Sequence, residues 1–447
     1  MAGIAGILKE GKKDDVSRMI ELLSHRGNTN KRIVEKDGAT IGIVWSSCED
    51  DGMNERIHQG IFRDGPGFGH KLEVAKPNGH WQISRDETGV APMYFTKDCD
   101  GNMCFASEVK ALLRFSTEIS EIPSGYKVSE TDSRRYFSLE AKAPMQKDPE
   151  AIASELLNLL SLSVSRRINS ESIAISLSGG LNSSAIAALA RPWVSSMHTF
   201  TVGLYNAPDF QFGSEIAKKL GSNHHEVMIS LDIILRNLPL LIYHLESFDA
   251  MLVRAGIVNY MAGEAASEYV GEVFTGAGGD ELFAGYDYLT SKPEMKSDLE
   301  ILSIIDRLHN TTLQCVDRCA GAYGLRSHVA FTDPQIVDYA ITIPAKLKFN
   351  KGVERWILRK AMEDILPENI LNRPKAAIWE GSGVGDILSD YASSKITDRD
   401  FMSERHLSNG WILKSKEELF YYRIFKEFFG EKLNLDWMGR INGIINK

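Results

Sequence analysis

Hydrophobic and polar residues follow different patterns in the two parts of the chain. Up to about residue 130, short apolar runs are separated by Gly, Asn and Asp, as in GATIGIVWSS (38–47), HWQISRD (80–86), APMYF (91–95) and NMCFASE (102–108). Apolar runs of this length between turn-forming residues predict short strands. The pattern therefore predicts a small β-rich domain at the N-terminus.

The pattern changes after a polar, proline-containing stretch, LEAKAPMQKDPEA (139–151), which indicates a linker. From about residue 150, strand-like runs alternate with helix-like runs: ESIAISL with NSSAIAALA, MHTFTVGL with FGSEIAKKLG, and EVFTG with GDELFAGYDYL. This alternation, with almost continuously apolar strands, predicts a parallel sheet covered by helices on both faces. The last third has apolar residues at helical spacing and is predicted to be mostly helical.

A serine- and glycine-rich loop follows the first of these strands, in SLSGGLNSSA (176–185). Its backbone amides and hydroxyl groups, together with the N-terminus of the next helix, are suited to holding a phosphate group. The candidate contacts are Ser178, Gly179, Gly180, Ser183 and Ser184. The alternative is an ordinary tight turn with a helix cap, which such residues also form. The absence of a lysine after the second glycine excludes a Walker-type loop.

A second glycine-rich loop, TGAGGDELFAGYDY (275–288), follows another predicted strand. Its glycines allow a ligand to approach the backbone closely, and Asp280 and Glu281 supply acid at the start of a helix. Because ligands of parallel sheets bind at the carboxyl ends of the strands, both loops are expected at one site. A capped surface helix with an exposed acidic turn is the alternative.

Composition limits the class of function. The 447 residues suggest two or three domains, and 43% hydrophobic with 25% charged residues is typical of globular proteins. A net charge of -9 argues against a nucleic-acid partner. The chain has five cysteines and no CxxC pair, and we expect a cytoplasmic protein without a secretion signal or membrane span. Small-molecule ligands remain the best expectation.

Several motifs, in order, resemble one family. SGGLNSS (178–184) resembles the pyrophosphate loop of the N-type ATP pyrophosphatases, and TVGLYNAPDFQFGSEIAKKLGSNHHEV, ERWILRKAMEDILPENI and RPKAAIWEGSGVGD extend the resemblance to asparagine synthetase. AGIAGIL, HRG and RDETGVAPMYF are similar to that family's glutamine-amidotransferase half. The resemblance implies a shortened, Ntn-hydrolase-like α+β sandwich over 1–135. It also implies an α/β domain of the HUP-like ATP-pyrophosphatase type over 150–447, with a parallel sheet and a helical C-terminal part.

The resemblance also implies a reaction: aspartate, ATP and ammonia would give asparagine, AMP and pyrophosphate through an acyl-adenylate, with ATP and Mg²⁺ as cofactors and a possible homodimer as the assembly. The serines and glycines of the first loop would hold pyrophosphate, and Mg²⁺ would be held by Asp280 with help from Asn182. Lys375 and Tyr286 would steady the transferring centre, and Arg254 would face the substrate carboxylate. The nucleotide pocket would be lined by Val202, Gly203, Thr275 and Gly276.

Departures from the family pattern leave alternatives open. Ala2 stands at the position of the nucleophilic cysteine of the glutaminase half, and that half lacks segments resembling RLSI and NGEIYN. Glutamine hydrolysis is therefore not expected. Asn182 replaces a magnesium-binding carboxylate, Ala277 replaces a frequent Glu, and Met251 stands where a polar residue is expected. One alternative is a ligase that adenylates another carboxylate, as in the β-lactam synthetases, and another is a nucleotide-binding pseudoenzyme.

Overall fold

The N-terminal part of the chain forms two antiparallel sheets in a computed structural model that describes residues 1–27, 29–49, 52–286, 289 and 294–441. One sheet has the strand order β2-β3-β1-β8-β7-β9 and the other β11-β10-β6-β5-β4. The strands are β1 Gly3–Ile7, β2 Asn30–Lys36, β3 Ala39–Trp45, β4 Phe62–Gly67, β5 His70–Ala75, β6 Gln82–Arg85, β7 Tyr94–Lys97, β8 Met103–Ala106, β9 Ser120–Glu121, β10 Tyr126–Val128 and β11 Ser133–Arg135.

The two N-terminal sheets bury apolar side chains in one common cluster. Ile41 and Phe105 of the first sheet belong to the same cluster as Leu72, Val74 and Ile83 of the second. Strands β5 and β6 alternate buried and more exposed positions, whereas β1, β3 and β8 are buried along their whole length. The Ntn-hydrolase character of this part remains an expectation from the resemblance. Residues 136–148 contain neither helix nor strand.

The second part of the chain contains the predicted parallel sheet, in the order β14-β13-β12-β15-β16. Its strands are β12 Ser172–Ser176, β13 Ser196–Gly203, β14 Asn223–Met228, β15 Glu272–Phe274 and β16 Arg326–His328, and all four pairings are parallel. The chain extends from β12 to β13 and β14 on one side and then returns to β15 on the other side. The strand order therefore reverses between β12 and β15, where such sheets bind ligands. A short hairpin, β17 Phe349–Asn350 and β18 Val353–Glu354, follows.

Helices cover the sheet and make up most of the C-terminal third. They are Lys13–Leu22, Met53–His58, Pro149–Ser165, Leu181–Ala190, Pro208–Leu220, Leu231–Leu245, Ala250–Ser267, Gly279–Leu282, Glu294–Asp306, Thr312–Gly321, Pro334–Ala340, Ala345–Lys348, Trp356–Ala361, Glu368–Leu371, Ile378–Gly381, Val384–Lys395, Asp398–Glu404 and Lys416–Phe429. Within the described ranges, no helix is both long enough and apolar enough to cross a membrane.

Buried charges join the N-terminal sheets to the second part of the chain. The Arg26 guanidinium donates to both carboxylate oxygens of Asp317, at 2.9 and 2.8 Å, and to Glu108 at 2.8 Å. Arg318 contacts Glu108 and Glu246 at 2.8 and 2.9 Å. These side chains are almost completely buried, so each charge depends on its partners. Buried ion pairs therefore connect the two parts of the chain in the protein interior.

Candidate active site

A cavity of about 720 Å³ lies at the carboxyl ends of β12 and β15. Both glycine-rich loops line it, through Ser178, Gly180, Asn182 and Ser183 on one side and Thr275, Gly276 and Ala277 on the other. Further parts of the lining come from helices Ala250–Ser267 and Thr312–Gly321, from residues 304–311 and 373–380, and from Arg355. The cavity is therefore where the reversal of strand order places a ligand.

The serine and glycine residues after β12 form a tight turn held by their own hydroxyl groups. The Ser178 and Ser183 Oγ atoms are 3.1 Å apart, and the backbone N–H of Gly180 donates to Ser178 Oγ at 3.2 Å. Arg373 donates to the Ser178 carbonyl at 2.7 Å. Gly179 has φ of 68°, and a Cβ there would lie 2.4 Å from the Phe212 backbone, so only glycine fits.

The turn leads directly into the N-terminus of helix Leu181–Ala190, whose N-cap residue is Gly180. Among the described residues, no side chain caps this end. The first amides of a helix lack partners within the helix, and the helix dipole adds partial positive charge. This end of the cavity is therefore suited to an anion such as pyrophosphate.

The second loop packs closely against the first. A Cβ at Gly276 would lie 2.7 Å from the Ser183 backbone nitrogen, and a Cβ at Gly279 would lie 2.7 Å from the Asn182 side chain. Helix Gly279–Leu282 begins there and carries Asp280 into the cavity. The two glycines thus allow the loops after β12 and β15 to form one continuous surface.

Asp280 is the centre of a charged cluster in the cavity. Its Oδ2 is 2.8 Å from Lys375 Nζ, and its Oδ1 accepts from Arg355 at 3.0 Å. Arg355 also donates to Asn182 Oδ1 at 3.4 Å. Burial opposes ionisation of Asp280, but the two cations outweigh it and hold the pKa of its carboxyl below the ordinary value.

The donor set of Asn182 and Asp280 does not fit a resident magnesium ion. Magnesium binds through carboxylate and other oxygen ligands, but both Asp280 oxygens contact protein cations and the Asn182 oxygen accepts from Arg355. In the part of the chain that the structure describes, no group of three or more His, Cys, Asp or Glu side chains is arranged to hold a metal. The cofactor assignment of Asp280 and Asn182 therefore disagrees with the geometry.

A second carboxyl group, that of Glu281, also lines the cavity. Its Oε1 accepts from the Tyr286 hydroxyl at 2.9 Å and from Thr312 Oγ1 at 3.1 Å. Burial and the nearby negative charge of Asp280 raise the pKa of this carboxyl. Tyr286 lines the cavity, as the resemblance implies, and its hydroxyl is oriented by Glu281.

Several of the predicted site residues do not line the cavity. Ser184 is completely buried. Gly179 packs against the backbone of Phe212, on the side of the turn that does not line the cavity. Val202 and Gly203 end β13 beside the cavity without contributing to its lining. Arg254 corrects a prediction: its guanidinium pairs with Glu417 through two hydrogen bonds, so it is not directed at a substrate carboxylate in this structure.

Four basic residues of the cavity lining were not singled out from the sequence: Arg307, Arg355, Arg373 and Arg440. Arg355 enters from the segment after β18, and Arg373 bridges Asp209 and the first loop. Both lie within motifs that carry the family resemblance, ERWILRKAMEDILPENI and RPKAAIWEGSGVGD. The signal that could have found them is the density of basic residues in these two segments.

The end of the cavity remote from the first loop is largely apolar. Helix Ala250–Ser267 contributes Leu252 and Ala255, and the helices near residues 304–316 contribute Ile304, Leu308 and Val316. The polar lining residues here include Asn259, Thr311 and Arg307. This region offers space and apolar surface for the body of an acyl substrate.

The position expected for a glutaminase nucleophile holds Ala2, which is buried. Its carbonyl accepts a hydrogen bond at 3.0 Å from Arg26, the arginine of the HRG motif. The same guanidinium is bound by Asp317 and Glu108. The Arg26 guanidinium therefore binds groups of the protein itself.

Comparison with known proteins relates this chain to two family models. The family model described as asparagine synthase matches residues 155–303 and 299–441, and a glutamine amidotransferase domain matches residues 74–170. An asparagine synthetase (glutamine-hydrolyzing) of Lotus japonicus is 31% identical over 376 residues, or 78% of this chain. One of Arabidopsis thaliana is 30% identical over 375 residues, or 77% of this chain.

The chain spans 64% of the length of each of these two relatives. Among solved structures, the NMN synthetase of Francisella tularensis aligns with 64% of this chain and 94% of its own, at 15% identity and a TM-score of 0.29. That score is too low to support a statement about fold. The asparagine synthase model, in contrast, matches well over half of the chain. This chain therefore belongs to the asparagine synthase family.

Proposed function

We propose that this protein is an ATP-dependent, amide-forming ligase that adenylates a carboxylate and transfers the acyl group to ammonia. The observation that carries the proposal is the cavity in which the Ser178–Gly180 turn, an uncapped helix N-terminus and Lys375 meet. The turn and the helix N-terminus are suited to binding the triphosphate of ATP. The fixed positive charge of Lys375 is suited to stabilising charge at the phosphorus that reacts. Aspartate is the first candidate carboxylate, with asparagine as product.

The residues of the cavity can be assigned to steps of this reaction. The turn and the helix N-terminus would bind the β- and γ-phosphates, which orients the α-phosphorus toward the substrate carboxylate. A carboxylate oxygen would attack that phosphorus, and the bond between the α-phosphorus and the bridging oxygen would break as pyrophosphate leaves. Lys375 would stabilise the negative charge that builds on the α-phosphate oxygens.

Ammonia would then attack the carbonyl carbon of the acyl-adenylate, and AMP would leave as the amide forms. The nitrogen loses a proton in this step, and the carboxylate of Glu281, whose pKa is raised by burial, would accept it. Glu281 and Tyr286 are hydrogen-bonded to each other in the cavity lining, where they can orient the attacking nitrogen. No step needs an ion held by Asn182 and Asp280, in agreement with the geometry of that pair.

The nitrogen donor is proposed to be free ammonia and not glutamine. Ala2 has no nucleophilic side chain, and the HRG arginine is engaged in the buried contacts with Asp317 and Glu108. An assay of ammonia release from glutamine is expected to show none. Amide formation with ammonium and not with glutamine would support the proposed donor, and glutaminase activity of the purified chain would contradict it.

A second candidate substrate is a carboxylate with a larger, apolar body. It is favoured by the apolar end of the cavity, formed by Leu252, Ala255, Ile304, Leu308 and Val316. In this respect the protein would be similar to the β-lactam synthetases, which also act on substrates other than aspartate. The adenylation chemistry is unchanged in this alternative.

Exchange of labelled pyrophosphate into ATP separates these candidates, because it reports adenylation before any amine is added. We expect exchange with aspartate or with one member of a panel of longer, apolar carboxylic acids. Exchange with aspartate alone excludes the second substrate class. The absence of exchange with every acid, while ATP still binds, would contradict the ligase proposal and favour a nucleotide-binding protein without turnover.

A further inference from the structure

Arg355 lies between the two loops at the place where a family magnesium ion was expected. One guanidinium nitrogen is 3.0 Å from Asp280 Oδ1 and 3.4 Å from Asn182 Oδ1, so a single atom contacts both members of the expected metal-binding pair. Lys375 contacts the other oxygen of Asp280 at 2.8 Å. Asn182 and Asp280 thus converge on a cation that the chain itself supplies.

The arginine is firmly positioned. Its second terminal nitrogen donates to Glu354 at 3.1 Å, and the residue is 3% exposed while lining the cavity. Its backbone has φ of 53°, a conformation that costs free energy in any residue other than glycine and persists only where surrounding contacts hold it. Its Nε is buried without a hydrogen-bond partner among the described residues.

The replacement of a carboxylate by Asn182 agrees with this position. Two carboxylates facing each other need a divalent cation between them, whereas one carboxylate and one amide oxygen are matched by a single positive charge. With Arg355 and Lys375 in place, two cations already face the single carboxylate of Asp280. A divalent ion inserted here would meet like charge and would have to displace both hydrogen-bonded partners.

We propose that the Arg355 guanidinium takes the place of a protein-held magnesium ion and provides the positive charge that binds the pyrophosphate part of ATP. The inference rests on the proposed function, because it assumes that the cavity binds ATP through its β- and γ-phosphates. The second terminal nitrogen, which donates to Glu354, carries another N–H that can donate to a phosphate oxygen, and the guanidinium charge attracts the anion. Pyrophosphate binding by this chain is then independent of free magnesium.

Calorimetric titration of the full chain with inorganic pyrophosphate, in EDTA and in excess magnesium, tests the proposal. The wild-type protein is expected to bind in both media with dissociation constants within about fivefold of each other. Arg355→Gln is expected to weaken binding in EDTA at least about tenfold, while Arg355→Lys retains most of it. Arg399→Gln, at an exposed arginine in helix Asp398–Glu404, is the matched control and is expected to change nothing.

Electron paramagnetic resonance of Mn²⁺ gives a readout that needs no nucleotide and no turnover. The wild-type chain is expected to leave Mn²⁺ free in solution. The double variant Asn182→Asp with Arg355→Gln restores two facing carboxylates and removes the guanidinium, and it is expected to bind Mn²⁺ at least about tenfold more tightly. If Arg355→Gln does not fold, the wild-type titrations and the Lys variant still decide the matter.

The outcomes separate this inference from the function on which it rests. The role of Arg355 is overturned if the wild-type protein binds pyrophosphate only with magnesium. It is also overturned if the Arg355→Gln variant binds pyrophosphate in EDTA as tightly as the wild type. In both cases the proposed ATP site is unaffected. Mn²⁺ binding by the wild-type chain overturns the role of Arg355 in the same way. If pyrophosphate binds in neither medium, the proposed function fails and the inference fails with it.

Discussion

Lys375 forms an ion pair within the site and is also the proposed source of positive charge for the reaction. Its ammonium group contacts Asp280 and faces the cavity beside the first loop. The contact with Asp280 holds this cation in place, and a positive charge fixed in advance can stabilise charge that develops in a transition state. Lys375 is therefore the side chain whose removal should affect turnover more than binding.

Lys375→Gln is expected to slow pyrophosphate–ATP exchange by about 100- to 1000-fold, because a fixed charge at the transition state is lost. The dissociation constant of ATP is expected to change by less than about tenfold, because the first loop and the helix N-terminus remain. Lys432→Gln, at an exposed lysine, is the control. Equal losses in exchange rate and in ATP affinity would show that Lys375 only binds the nucleotide.

His70 provides a residue-level test of the packing between the two parts of the chain. It is completely buried, and its Nε2 is 2.8 Å from the Thr332 carbonyl while Arg167 lies 3.4 Å from Nδ1. Burial, followed by the charge of Arg167, holds the pKa of His70 well below its ordinary value. The folded state therefore keeps the imidazole neutral, and the unfolded state gains a proton below about pH 6.5.

The contribution of His70 to stability is present above pH 6.5 and is lost as the pH falls, with a slope that approaches about 1.4 kcal/mol per pH unit well below pH 6.5. Since His70→Gln has no such proton to gain, its destabilisation relative to the wild type should shrink by about 1 kcal/mol between pH 6.5 and 5.5. Chemical denaturation at several pH values measures the difference. His80→Gln, at an exposed histidine, should show no such trend. A destabilisation independent of pH would contradict the account.

At the scale of secondary structure, the site depends on a turn that only glycine can form. Gly179 and Gly221 both have left-handed backbones, with φ of 68° and 62°. A Cβ at Gly179 would collide with the Phe212 backbone, whereas a Cβ at Gly221 would have no atom within 4 Å. The two glycines thus form a matched pair in which only one position is crowded.

Gly179→Ala is expected to displace the turn and to weaken pyrophosphate binding at least about tenfold, because the turn that positions the serine hydroxyl groups beside the helix N-terminus is disrupted. Gly221→Ala is expected to cost only about 1 kcal/mol of stability, from its left-handed backbone, and to leave binding unchanged. Calorimetry and thermal unfolding of both variants measure these effects. If the two variants bind pyrophosphate with similar affinities, the turn at Gly179 does not contribute to the binding site.

Strands such as β12 and the loop that follows it could be predicted because the residues that determine them are close together in the sequence. The run ESIAISL and the glycines and serines after it determine β12 and its turn within a dozen residues. β14 was not predicted as a strand, because this edge strand has the polar sequence NHHEVM without regular alternation. The contact of Asn182 with Arg355 spans 173 residues, and the pairing of Arg254 with Glu417 spans 163, so neither follows from local pattern.

For the whole molecule, the central feature is that buried charges join the N-terminal sheets to the second part of the chain. Arg26 contacts Asp317 and Glu108, and Arg318 contacts Glu108 and Glu246. The HRG motif, which resembles part of a glutaminase, here forms an interior ion-pair network. The N-terminal part is therefore expected to be required for the stability of the second part.

Arg26→Met leaves the carboxylates of Asp317 and Glu108 buried with fewer partners, and we expect it to cost about 3–5 kcal/mol of stability. Adding Asp317→Asn removes one unpaired charge and should recover part of this loss. Thermal unfolding measures both, with Arg18→Met at an exposed arginine as the control. A variant as stable as the wild type would show that the network does not support the fold.

The central claim is that the turn Ser178–Gly180 holds the terminal phosphates of ATP, so that the chain cleaves ATP between the α- and β-phosphorus atoms. The most direct measurement is the identity of the products when ATP labelled at the α- and γ-phosphates is incubated with ammonium and the carboxylate that supports exchange. The account predicts AMP and pyrophosphate in equal amounts, formed together with an amide. Formation of ADP and inorganic phosphate would contradict it.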